Sequence, residues 1–281
     1  MRNILNLIRI KDWLKNIILF LPLIFSGYLF NFSIYNNLIL GFITFSLVSS
    51  CIYILNDILD IDRDKSHPIK RYTKPLANNS ISLKSAYYLF ITLIILSIFL
   101  IYFYPYLRTS IFLYVSLSLI YNFGLKKIPY LEIIILATGY VIRVDAGSKL
   151  INVESSYLMI MSIFALGLYL ILLKRLSEKN LKIDLYKNNS RDVLKYYHSK
   201  NLKLLSLLAA FSLCTILLFY VLTVNIKLVL SFLFIIVFLL RYYFLTSENS
   251  NGESPITFIL FNRNLLILSF IILISFITIY I

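Results

Sequence analysis

Charged residues are scarce in this chain. They make up 14 % of 281 residues, where a soluble domain carries about a quarter, and that shortfall excludes a soluble enzyme. Cysteine occurs at two positions, Cys51 and Cys214. Both lie inside apolar runs, so neither a disulfide framework nor a cysteine metal centre is expected. The two histidines, His67 and His198, leave little for a histidine-based site. Six prolines and seven glycines are too few for a disordered or fibrous chain. No repeat of fixed period and no low-complexity linker interrupts the sequence, so one domain over residues 1–281 is the simplest division.

Hydrophobic residues fill 60 % of the chain, and the mean hydropathy is +0.85. They gather into nine runs, near 16–32, 37–55, 82–104, 109–124, 128–149, 155–173, 203–223, 226–245 and 263–281. A helix needs about twenty apolar residues to cross a hydrocarbon core. Membrane β-strands alternate over about ten residues, whereas these runs are apolar all round. The expected fold is all-α: a polytopic membrane protein with a bundle of nine transmembrane helices. The first run follows Met1–Asn16 with no small-residue cleavage site, and reads as a retained helix instead of a signal peptide.

The 27 basic residues outnumber the 13 acidic ones. They alternate with the apolar runs and form no continuous patch, so no nucleic-acid partner is expected. Across nine alternating spans, 23 of the 27 fall on one side; Arg108, Lys149 and Lys227 fall on the other, and Arg143 lies inside the fifth run. The positive-inside rule makes the first side cytoplasmic, with the N-terminus inside and the C-terminus outside the cell membrane.

Four acids sit within eight residues where the second run leaves the membrane on that side: Asp57, Asp60, Asp62 and Asp64, with Asn56 adjoining. On a helix, Asn56, Asp60 and Asp64 share a face, and so do Asp57, Asp60 and Asp64. Asp62 points away. Clustered hard oxygens suit Mg²⁺, which takes one or two carboxylates and completes its shell with waters and phosphate oxygens. The same run also reads as a solvated helix end paired with local lysines. Five cations follow, Arg63, Lys65, Lys70, Arg71 and Lys74. Cations beside a metal site can grip phosphate oxygens. Pro68 and Pro75 favour a shaped loop over a continued helix. In the fifth run, Glu132 and Arg143 share a face but lie roughly 16 Å apart along a helix. They cannot pair directly, so Arg143 is expected to find Asp145 or a carbonyl.

The pattern Asn56-Asp57-x-x-Asp60-x-x-x-Asp64 resembles the first aspartate-rich motif of the UbiA superfamily of intramembrane prenyltransferases. The continuation His67-Pro-x-Lys70-Arg71-x-x-Lys74-Pro75 is similar to the branch typified by decaprenyl-phosphate phosphoribosyltransferase, with Lys74 in place of the usual Arg. The likeness extends to Arg9-x-Lys11-Asp-Trp13-x-Lys15-Asn16, Glu132, Gly139-x-x-x-Arg143-x-x-Ala146-Gly147, Lys174-Arg175-x-x-Glu178, Ser254-Pro255 and Asn262-Arg263. Aromatic prenyltransferases of the superfamily carry a second Asp-x-x-x-Asp after the sixth helix. Here that loop offers Glu178, Asp184 and Asp192, with no such pair.

The resemblance implies nine helices around a lipid-accessible cavity with a Mg²⁺-dependent site at its cytoplasmic mouth. It implies transfer of 5-phosphoribose from phosphoribosyl diphosphate to a polyprenyl phosphate. Catalysis is then expected from Asp57, Asp60 and Asp64, with Asn56 completing the metal ligands. Substrate binding is expected from Lys15, Asn16, Lys70, Arg71, Lys74, Tyr121, Lys174 and Arg175. The nearest alternative is an ordinary UbiA-type prenyltransferase acting on an aromatic or other small acceptor. A transporter would place its ionisable groups near the midplane, and these acids cluster at one surface.

Overall fold

The structure, a computed structural model, describes residues 2–66, 70–185, 192–248 and 255–280. His67, Pro68 and Ser254, which enter the sequence reading above, lie outside the described residues. Two compact units divide the chain: Met1–Leu23, Leu29–Gly124 and Ile142–Glu154 form the first, and Ile24–Tyr28, Leu125–Val141 and Ser155–Ile281 the second.

In the first unit, α1 (Arg2–Ile8) stops at Arg9, whose backbone is left-handed (φ 55°, ψ 50°). A 3-10 helix over Ile10–Phe20 follows and passes into α2 (Leu21–Phe25). The first apolar run is therefore helical from Ile10 rather than from residue 16, and the chain turns at Gly27 (φ 73°). Next comes α3 (Tyr35–Leu59), entered through Asn31, whose side chain accepts the Ser33 amide. Two short helices, α4 (Ile61–Ser66) and α5 (Lys70–Thr73), precede α6 (Leu83–Phe103). Ser82 caps α6 by accepting the Ser85 amide, a role its hydroxyl fills better than any apolar side chain. Pro105 opens the turn into α7 (Arg108–Phe123); α8 (Leu131–Leu150) begins after Tyr130, and its residues from Ile142 onward belong to this unit.

The unit closes around Leu19, Leu38, Phe45, Ile111, Tyr114, Ile142 and Ala146. Gly147 permits this closure: a Cβ there would lie 2.0 Å from the Leu19 carbonyl oxygen. Only glycine lets the backbone of α8 come so near.

The second unit contains α9 (Tyr157–Leu185), α10 (Ser199–Thr223), α11 (Val229–Glu248), α12 (Pro255–Phe261) and α13 (Arg263–Tyr280). Asn262 caps α13 by accepting the Leu265 amide. The core gathers Tyr169, Leu173, Leu176, Tyr197, Leu202 and Tyr242.

The described elements are helical, in keeping with the all-α expectation. Five helices are long and apolar enough to cross a membrane: Phe32–Leu59, Leu83–Phe103, Tyr157–Asn180, Ser199–Thr223 and Ile226–Ser247. Arg263–Thr278 is a shorter apolar helix. At 16 residues α7 is short for a span, and α8 carries Glu132, Arg143, Asp145 and Lys149. Whole faces remain exposed and apolar: Ile91, Ile95, Ile98 and Phe99 on α6, and Leu204, Leu208, Phe211 and Leu222 on α10. In water such faces would associate; in hydrocarbon they are the solvent-facing side. The chain is a multi-pass membrane protein.

Candidate active site

The aspartates lie where α3 hands over to α4. α3 ends at Leu59 because Asp60 leaves helical geometry (φ −100°, ψ 13°). Hydrogen bonds spanning four residues nevertheless continue, from the Asp60 amide to the Asn56 carbonyl and from the Asp64 amide to the Asp60 carbonyl. The seven-residue spacing thus still brings Asp57 and Asp64 to one side. Both are buried, at 2 % and 3 % exposure. Asn56 and Asp60 are half-buried and Asp62 is exposed, as its register requires.

Asp57 and Asp64 meet on a lysine. Lys74 Nζ lies 2.8 Å from Asp57 Oδ1 and 2.5 Å from Asp64 Oδ2. Arg9 Nη2 donates to the same Asp57 Oδ1 at 2.6 Å, and Lys70 Nζ stands 3.9 Å from Asp64 Oδ1. The Arg9 guanidinium also lies over the Tyr53 ring, 4.9 Å from its centroid. Burial pulls the Arg9 pKa down, and the charge and hydrogen bond of Asp57 together with Tyr53 and Asp12 more than offset it, leaving it above the ordinary value. Arg71 is exposed and leans on its neighbour Tyr72, donating to the hydroxyl and covering the ring.

Among the described residues, no three His, Cys, Asp or Glu side chains converge as ligands would around one ion. Two carboxylates do converge, on an ammonium that marks a cation position between them. The three carboxylates Asp57, Asp60 and Asp64 set against Arg9 and Lys74 leave one net negative charge. Hard oxygens with that balance fit a divalent ion that takes one or two carboxylates and shares substrate phosphates.

A buried polar network supports the same unit. Trp13 Nε1 donates to Ser50 Oγ at 2.9 Å, and Asn16 Nδ2 to Ser46 Oγ at 3.0 Å. Asn16 Oδ1 accepts Arg143 Nε at 2.7 Å, and Arg143 Nη2 donates to the Tyr114 hydroxyl at 3.0 Å. Arg143, for which the sequence suggested Asp145 or a carbonyl, is thus engaged by an amide and a phenol, while Asp145 pairs with Lys149 at 2.7 Å. Asn16, expected among the substrate-binding residues, is fully buried with both ends of its amide engaged. Lys15 pairs with Asp12 at 2.5 Å and faces the Tyr53 ring. Tyr121 lies half-buried in the last turn of α7.

In the second unit, Arg175 is fully buried. Its Nε and Nη2 each donate at 2.6 Å to one oxygen of Glu132, and Nη1 donates to Glu178 at 2.6 Å. The sequence marks Arg175 as a substrate ligand; in the structure its guanidinium is the fork of a carboxylate clamp. Tyr197 completes the clamp, donating to Glu132 Oε1 and accepting the Tyr130 amide. Burial, and then the Glu132 charge, push the Tyr197 pKa up, so the phenol keeps its proton. Lys174, one residue earlier, approaches the other oxygen of Glu178, at 3.9 Å.

The family model described as the UbiA prenyltransferase family matches residues 19–266. The chain belongs to this family. The decaprenyl-phosphate phosphoribosyltransferase of Corynebacterium glutamicum is 31 % identical over 158 residues, 53 % of this chain and 46 % of that protein. The enzyme of the same name from Mycobacterium tuberculosis is 28 % identical over 185 residues, 63 % of this chain and 60 % of that one. The matches cover less than two thirds of either relative's length. In fold, this UbiA family member is similar to a UbiA homolog from Archaeoglobus fulgidus solved with GPP and Mg²⁺: TM-score 0.72, 16 % identity, 99 % of each chain.

The local sequence pattern does not mark Arg9 and Tyr53 as neighbours of Asp57 in the first unit, nor Glu178 as a partner of Arg175 in the second. Arg9 belongs to the motif Arg9-x-Lys11, and its partner Asp57 lies 48 positions away. No local periodicity joins such a pair. Tyr53 lies one turn before Asp57 on α3, a spacing that places both on one face. Glu178 is the acid of Lys174-Arg175-x-x-Glu178, and its partner Arg175 lies three positions before it.

Proposed function

We propose that this UbiA family protein transfers 5-phosphoribose from phosphoribosyl diphosphate to a polyprenyl phosphate and releases diphosphate. The observation that carries the reading is the pair of buried carboxylates, Asp57 and Asp64, held among Arg9, Lys70 and Lys74. Such a cluster accommodates a heavily anionic donor. The names of the relatives from C. glutamicum and M. tuberculosis support the choice of donor and acceptor. So does the want of a second Asp-x-x-x-Asp pair after α9, where Lys and Arg dominate.

Asp57 and Asp64, with Asp60 and Asn56, are the residues that would hold Mg²⁺. The ion would supply positive charge to the departing diphosphate. Arg9 stays fixed by its stacking on Tyr53 and orients Asp57. Lys70, Lys74 and the exposed Arg71 donate to phosphate oxygens of the donor. As the ribose C1–O bond breaks, positive charge develops on the sugar, and the acceptor phosphate oxygen closes on C1. That oxygen is already anionic, so no general base is required. Lys15, Lys174 and Tyr121 are assigned to the substrates; Asn16 and Arg175 are assigned to positioning, because their polar atoms are engaged inside the protein.

In the proposed topology nine helices cross the cell membrane as one transferase domain, with the N-terminus and the aspartates at the cytoplasmic face. Membranes carrying the protein, given Mg²⁺, polyprenyl phosphate and phosphoribosyl diphosphate labelled in the ribose, should move label into the lipid phase. Label that stays aqueous while a prenyl diphosphate and an aromatic acceptor react would instead favour prenyl transfer.

A further inference from the structure

Lys74 touches two buried carboxylates at once, and that contact sets up a competition. Its ammonium lies 2.8 Å and 2.5 Å from oxygens of Asp57 and Asp64, and the side chain is 18 % exposed. A divalent ion bound by both aspartates would need the same space. Arg9 cannot yield it: its guanidinium is stacked on Tyr53, its backbone is pinned in the left-handed region, and it approaches Asp57 from the side of α1. Lys74 can. It comes from the loop after α5, it is a point charge on a flexible four-carbon stem, and its three protons are free to rotate.

Charge counting points the same way. Asp57, Asp60 and Asp64 set against Arg9 and Lys74 carry one net negative charge, so adding a divalent ion would leave one excess positive charge. Releasing Lys74 removes that excess and frees its charge for the diphosphate. We infer that Lys74 is an exchangeable cation: it fills the position between Asp57 and Asp64 until a divalent ion displaces it, and the freed ammonium then turns to the phosphates of the incoming substrate. Metal loading and delivery of a phosphate-binding group become one event.

The inference rests on the reading of Asp57 and Asp64 as divalent-ion ligands, and its test uses no substrate. Mn²⁺ is titrated into the purified full-length protein in lipid nanodiscs and free ion is read by electron paramagnetic resonance. A site held by lysine nine-tenths of the time binds metal about tenfold more weakly than an open one. Lys74→Met should therefore bind Mn²⁺ about tenfold more tightly than the natural protein. Equal affinity in the two would overturn the exchange and leave the metal reading standing. No Mn²⁺ binding by either would overturn both. A measurement on the natural protein guards against a variant that does not fold: Mg²⁺ should raise the rate at which Lys74 is reductively methylated, read by peptide mass spectrometry. A rate unchanged or lowered by Mg²⁺ contradicts the exchange.

Discussion

Arg9 and Asp57, 48 positions apart, meet at 2.6 Å. The contact ties the end of α1 to the last full turn of α3 and gives a buried carboxylate a charged partner. Arg9 reaches it from a left-handed backbone, a conformation that costs an arginine about 1 kcal/mol or more unless its surroundings hold it there. The position is therefore under two separate demands, one from the backbone and one from the guanidinium.

Arg9→Gly separates them. Glycine accepts φ 55° without strain, so the helix junction should survive while the charge is lost. The expected result is near-normal expression and elution on size exclusion with transfer activity reduced about a hundredfold, two powers of ten being about 2.7 kcal/mol. Activity close to normal would remove Arg9 from the site.

Arg175 and Glu132 test a different role. Removing one partner of a fully buried ion pair leaves the other charge uncompensated, at a cost of about 3–5 kcal/mol. Arg175→Met alone should lower Tm sharply, whereas Arg175→Met with Glu132→Met should recover much of the loss. Thermal unfolding in nanodiscs reads both. A single variant as stable as the natural protein, yet inactive, would return Arg175 to the substrate.

Tyr197 carries a related expectation in pH. Its folded pKa is raised, first by burial and then by Glu132, so the protonated phenol is the form that the fold favours. The stability this contributes is fully present below the ordinary tyrosine pKa of about 10 and is lost only as pH rises toward the higher folded value. Tyr197→Phe should lower Tm below that pH and flatten the alkaline decline. An unchanged alkaline profile would contradict the contact with Glu132.

Gly147 sets a steric limit. A Cβ there would lie 2.0 Å from the Leu19 carbonyl oxygen, and backbone cannot retreat as a side-chain tip can. Gly147→Ala should lower Tm by several degrees, while Gly124→Ala, with open space around it, should not do so for steric reasons. Thermal unfolding of the two variants side by side checks the contrast.

Much of this was legible in the sequence, for identifiable reasons. Asp57 and Asp64 are seven apart on one helical face, and the hydrogen bonds that bridge the turn at Asp60 preserve that register. Asp62 reads correctly as outward because α4 stays helical around it. The expectation that Glu132 and Arg143 cannot pair follows from helix rise alone, and each has a separate partner, Arg175 and Asn16. What did not show was set by tertiary contact. Nothing in the local pattern says that Lys74 turns inward to the aspartates while Arg71, three residues earlier, stays exposed. Nor does a run of apolar residues reveal that its helix begins at Ile10 in 3-10 form, directly after the left-handed turn at Arg9.

The most direct measurement is mass spectrometry of the lipid formed by purified protein in nanodiscs with Mg²⁺, phosphoribosyl diphosphate and a polyprenyl phosphate. The expected product is the polyprenyl phosphate carrying one phosphoribosyl group, formed with one equivalent of diphosphate, and absent with Asp57→Asn or Asp64→Asn. An unmodified polyprenyl phosphate with the natural protein, or the same product from either asparagine variant, would contradict the assignment.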